Sequence, residues 1–133
     1  MAPKIVQLAW TPENLASMMP VVSLNPWGAS AQEVLGGSQL FEVEDGNQHI
    51  LLAGKGIRRG DVATLEITGM VSLADRIQTD TLGGALDQLA SQYGAHVLAM
   101  YTPHPHLQRG AMRLGFAETG RLFQKQVNPH GRQ

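Results

Sequence analysis

Apolar and polar positions along the chain change period several times, and each change marks an element. Lys4 to Ala9 has the character of a strand, and Thr11-Pro12-Glu13 then carries three helix-start signals in a row. Leu15, Met18 and Met19 give that helix an apolar side, and Pro20 is expected to end it. Val21 to Gly37 is less regular, with a turn signal at Asn25-Pro26-Trp27-Gly28 and a short helical stretch from Ser30 to Leu35. Gln39 to Glu44 sets Leu40, Glu42 and Glu44 against Phe41 and Val43, a period of two. Asp45-Gly46-Asn47 then turns the chain into a strand from His49 to Ala53. A second turn at Arg58-Arg59-Gly60-Asp61 leads to Val62 to Thr68, which completes an antiparallel meander. Gly69 sits where this third meander strand can bulge or part from a neighbour.

Beyond the meander the period lengthens. Leu82, Ala85, Leu86, Leu89, Ala90 and Tyr93 form one helical stripe, with Thr81 as its cap and Gly94 as its stop. His96 to Tyr101 suits an interior strand. Thr102-Pro103 opens another helix, with Leu107, Ala111 and Leu114 on one face and Gly115 at its end. Ala117 to Val127 reads as a last strand, with a turn near Gly120, and Asn128 to Gln133 as a flexible polar tail. Alternating strands and helices after a meander predict an α/β domain spanning 1–133, a mixed sheet covered on both faces.

Composition narrows the function classes. A chain of 133 residues, 43% hydrophobic, can bury a core without metal or disulfides. The net charge of -1 gives no footprint for nucleic acid and no polybasic membrane patch. With no cysteine, a thiol nucleophile and thiolate metal sites are excluded. No segment approaches the roughly 18 apolar residues of a membrane span. The first residues lack the apolar run of a signal peptide, so cytoplasmic residence is the expectation.

The order of elements, closed by Leu114-Gly115-Phe116, resembles the GNAT superfamily of N-acyltransferases over most of the chain. The resemblance implies a mostly antiparallel central sheet whose fourth strand splays from the fifth, with acyl-coenzyme A in the gap. It implies acetyl-CoA as co-substrate and a small-molecule or peptide amine as acceptor. In that family the pyrophosphate rests on backbone N–H groups at a helix start, where unpaired donors and partial positive charge favour an anion. The family's loop reads Arg or Gln, two residues, Gly, one residue, then Gly or Ala. Arg76-Ile77-Gln78-Thr79-Asp80-Thr81 is the best register here, with threonines in both glycine positions. Arg76 fits, Thr79 and Thr81 can donate hydroxyl hydrogen bonds, and Gly83-Gly84 allows close approach in a shifted register. Asp80 would set a carboxylate beside the pyrophosphate; a plain helix cap is the other reading of Asp80 or Thr81.

The same resemblance places the thioester on backbone amides of the fourth strand, near Gly69, Met70 and Val71. The family's usual tyrosine acid aligns with Ala111, and its asparagine falls near His104. His104 or His106 at the helix start, and Tyr101 at a strand end, are the remaining groups for cofactor contact and proton donation. Glu66, mid-strand among apolar neighbours, is the candidate base, since a carboxylate in apolar surroundings is a stronger base than a solvated one. Its other reading is a strand residue facing solvent or pairing with Arg58 or Arg59. His104-Pro-His106 cannot complete a metal tetrahedron alone. Three functions stay open: an acyl-CoA-dependent N-acyltransferase, an inactive domain of the same fold used for binding or assembly, and an unrelated α+β binding domain. Edge strands of a small sheet also leave a homodimer or a protein partner open.

Overall fold

The computed structural model describes residues 3–23, 30–73, 78–100 and 105–119, with 59, 79 and 105–107 as backbone only. Strands β1 (Lys4–Leu8), β2 (Gln39–Asp45), β3 (Gln48–Arg59) and β4 (Val62–Ser72) pair antiparallel in sequence order. Strand β5 (Val97–Met100) adds parallel to β4 and completes a five-stranded sheet. A parallel neighbour needs a crossover, and helix α3 (Thr79–Tyr93) supplies it.

Alternation along the strands divides the core. Phe41, Leu52, Leu65 and Ile67 point to one face and bury Leu82, Leu86 and Leu89 of α3. Leu40, Leu51 and Ala53 point to the other and bury Met18 and Val22 of α1 (Pro12–Ser23) with Leu35 of α2 (Ala31–Leu35). Coverage of both faces explains the unbroken apolar run Ile50-Leu-Leu-Ala53. Helix α4 (Pro105–Arg113) follows β5, and Phe116 just beyond it packs on the α3 side of the sheet.

Local signals set most helix ends. Asn14 N–H donates to the Thr11 hydroxyl at 3.1 Å, capping α1. Ser30 and Glu33 form a reciprocal capping box on α2. Gly94 ends α3 at φ 62°, and Gly115 follows α4 at φ 93°.

Several expectations are corrected. Pro20 lies inside α1 rather than ending it. Proline has no N–H for the Ala16 carbonyl, yet Met18 and Val22 on either side are both buried, and that packing carries the helix through. Strand β3 runs past Ala53 to Arg59, and β4 past Thr68 to Ser72, because each pairs with the other along nearly its whole length despite three glycines. Helix α3 begins at Thr79, with Gln78 rather than Thr81 at the cap position. Strand β5 begins at Val97 rather than His96, and Tyr101 at its expected end lies outside the described residues. Ala117 to Thr119 form no strand, and 120–127 lie outside the described residues, as do the turn at Asn25 to Gly28 and the helix opening at Thr102-Pro103. Among the described residues no helix is long and apolar enough to cross a membrane.

Tyr93 ends α3 with its ring edge-on to Phe41, centroids 6.2 Å apart, and its hydroxyl donating to the Gln39 side-chain oxygen. Burial holds the phenol's pKa above 10.0. Above that pH the unfolded chain loses the proton first and binds fewer protons than the fold, so stability falls as pH rises. Urea unfolding at about pH 9 and about pH 11 should show this decline flattened in Tyr93→Phe. An equal decline in both proteins would remove Tyr93 as its source.

Candidate active site

Strand β4 carries a bulge at its centre. Ala53 pairs with Gly69 but Gly54 pairs with Ile67, so Thr68 is the extra residue. Backbone bonds on either side confirm the change of phase. His96 N–H donates to the Ala63 carbonyl at 2.8 Å, which turns Ala63, and with it Leu65 and Ile67, toward β5. Leu73 N–H donates to the His49 carbonyl at 2.7 Å, which turns Leu73, Val71 and Gly69 toward β3. Past the bulge it is therefore Met70 whose N–H and C=O face the β5 side. Among the described residues the β4–β5 ladder runs to Ile67 and Met100, while β4 continues to Ser72. Among the described residues, no strand pairs with that edge beyond Ile67.

Of the three amides expected at the thioester, the ladder thus directs Met70 outward and Gly69 and Val71 into the sheet. Gly69 has a different reason to lack a side chain. A Cβ there would stand 2.9 Å from Cγ1 of Val21 and 3.2 Å from Cε of Met18, so α1 lies directly on the strand at the bulge.

The first turn of α3 docks on the hairpin between β2 and β3. Gln78 N–H donates to the Gln48 side-chain oxygen at 2.8 Å, and Gln48 is 3% exposed. Thr81 is buried, and its hydroxyl makes a long 3.4 Å hydrogen bond to Asp45 Oδ2. That hydroxyl is directed at a carboxylate inside the fold. Gln78 makes no side-chain cap, so it does not cover the amides of Thr79, Asp80 and Thr81. Asp80 is exposed in this turn. Gly83 has a packing reason to be glycine: a Cβ would stand 2.6 Å from Cδ2 of Leu114, and at Gly84 3.6 Å from Pro3. The side chain of Thr79 and all of Arg76 lie outside the described residues.

Glu66 lies on the α1 side of the sheet, directly opposite Lys55, with Oε1 3.9 Å from Nζ. Its partner is Lys55, not Arg58 or Arg59, and its side chain is 37% exposed, so the apolar surroundings expected for it are absent. Neighbours along a strand point to the opposite face, and Leu65 and Ile67 take the burial instead. Tyr101 and His104 lie outside the described residues.

Two features escaped the sequence reading. His49 Nε2 meets Glu42 Oε2 at 2.5 Å, a pair set diagonally by the register that places Glu44 opposite His49. Ser38, buried ahead of β2, reaches the bulge: its hydroxyl lies 2.7 Å from that of Thr68. No local pattern marks either contact, since both join residues on different elements.

No protein-family model and no curated protein matches the sequence. Solved structures do match. An aminoglycoside acetyltransferase from an uncultured soil metagenomic sample is 16% identical, with a TM-score of 0.57 over 96% of this chain and 100% of its own. A protein described as a probable acetyltransferase is 13% identical, with a TM-score of 0.54 over 93% of this chain and 96% of its own. The TTHA1254 protein of Thermus thermophilus is 19% identical, with a TM-score of 0.52 over 92% of this chain and 97% of its own. At these identities the likeness is one of fold: a mixed, mostly antiparallel five-stranded sheet between helices, the architecture of acetyltransferases.

Proposed function

We propose that this chain is a divergent member of the GNAT superfamily that transfers an acetyl group from acetyl-CoA to an amine. The observation that carries the reading is the edge of β4, where a bulge turns Met70 N–H outward beyond the last described β5 pair. An N–H fixed in a sheet is already oriented for the oxygen of a thioester carbonyl, where negative charge grows as the amine attacks. The amine nitrogen bonds to the carbonyl carbon, the carbon–sulfur bond breaks, and the thiolate leaves with the electron pair. Glu66, reachable from solvent and 3.9 Å from Lys55, takes the amine's proton. Tyr101 is the proposed donor to the departing thiolate. Arg76, Thr79, the first-turn amides of α3 and His104 are the proposed contacts to the phosphates and the rest of the coenzyme.

One observation favours a second reading, a binding domain without turnover. Asp45 and Asp80 both stand at the start of α3, where a pyrophosphate would meet like charge, and Leu114 occupies the space beside Gly83. Calorimetric titration with acetyl-CoA, and with coenzyme A alongside, separates the two. Micromolar binding supports acyl transfer. No heat, together with an unshifted melting temperature at millimolar ligand, supports the binding domain. Within the first reading, Glu66→Gln should slow turnover by about 10²-fold or more and leave acetyl-CoA affinity unchanged. An unaltered rate would rule out the base role.

A further inference from the structure

A cavity of about 530 Å³ opens between the start of α1 and helix α2. Small-molecule sites commonly span roughly 300–1,000 Å³. Trp10, Pro12, Leu15 and Leu35 form apolar walls, and Gln32 and Ser38 add polar points. Among the described residues, its lining holds no Asp, Glu, Lys or Arg. The aromatic wall is held in place, since Trp10 Nε1–H donates to the Ser38 carbonyl at 2.9 Å.

Ser38 joins this cavity to the candidate active site. Its hydroxyl bonds that of Thr68, the bulge residue two positions before Met70. The two ends of the sheet also divide the work. The cavity lies where β1 ends and β2 begins, whereas the first turn of α3 docks at Asp45 and Gln48, where β2 ends and β3 begins. The cavity and the first turn of α3 thus stand at opposite ends of β2, and the Ser38–Thr68 contact ties the cavity to β4.

Resting on the acyl-transfer reading for the amine itself, we infer that this cavity seats the acceptor, a small primary amine with an uncharged aromatic or alkyl body. The body lies against Trp10, Leu15 and Leu35, and the nitrogen is directed toward the Ser38 end. A polycation fits poorly, because its distal ammonium groups would lose water against apolar walls with no carboxylate to pair with.

The test is an NMR titration of the full chain with 2-phenylethylamine, with spermidine and acetyl-CoA titrated in parallel. The indole N–H signal that disappears in Trp10→Phe identifies Trp10. The expected result is a shift of that signal with 2-phenylethylamine and binding of spermidine at least about tenfold weaker. Leu15→Glu places a carboxylate at a half-exposed helical position on the wall and should shrink that preference by about tenfold. A still Trp10 signal, or spermidine binding as tightly as 2-phenylethylamine, overturns the inference. Acetyl-CoA binding without an amine response at Trp10 sinks the acceptor cavity and spares acyl transfer. An amine response without acetyl-CoA binding upholds an amine site and removes acyl transfer.

Discussion

Met70→Pro is expected to lower acetyl transfer by about 10²- to 10³-fold, the usual loss when one oxyanion donor is removed. The argument rests on which way one N–H points. Leu73 N–H bonds His49, and alternation then leaves the Met70 N–H outside the β3–β4 ladder. Proline deletes that donor without deleting a β3–β4 hydrogen bond, the circumstance in which strands tolerate it. Gly69 precedes it and lacks the Cβ that would clash with the ring. Met70→Ala is the control, because it keeps the N–H and loses only a partly buried side chain. Steady-state rates should separate the two variants, while acetyl-CoA affinity and the circular dichroism spectrum stay close to those of the unaltered chain. A folded Met70→Pro protein with undiminished rate would move the oxyanion site elsewhere.

Leu89→Ala should destabilise the fold by about 2–5 kcal/mol, the range for truncating a fully buried leucine. Leu89 is 0% exposed and packs with Phe41, Leu52 and Leu65 on the α3 face of the sheet. Alanine is the strongest helix former, so backbone propensity does not add to the loss. What remains is the removed apolar contact and the cavity left behind. Urea unfolding followed by circular dichroism reads it. A midpoint within error of the unaltered chain would mean that α3 is held by its ends, through Gln48 and Asp45, rather than by its stripe. The result bears on function as well, since this stripe holds the first turn of α3 against the β2–β3 hairpin.

The helices whose signals were local came through largely as read. Thr11 caps α1, Ser30 and Glu33 box α2, the stripe from Leu82 to Leu89 is the buried side of α3, and Gly94 takes the left-handed stop. Each depends on residues within a turn or two of one another, so the physics is contained in a short window of sequence. The meander and its Asp45-Gly46-Asn47 turn were legible for the same reason, and from them the order β2-β3-β4 within the sheet.

The candidate site was less legible because its parts are non-local. Gly69 marked the region of the bulge, but the extra residue is Thr68, and only pairing with β3 shows which amides face outward. Gly83 reads as a place for phosphate to approach, yet Leu114, 31 positions away in sequence, is what approaches it. Glu66 between two apolar residues reads as buried, but strand alternation turns it to the half-open face beside Lys55. By itself, then, the sequence determined the elements and their order, through capping, periodicity and turn chemistry that act over a few residues. Tertiary structure alone decided the length of β3 and β4, the persistence of α1 through Pro20, the Ser38–Thr68 link and the outward amide of Met70. Each of these is settled by what a distant segment packs against or pairs with, and no local window of the chain contains that partner.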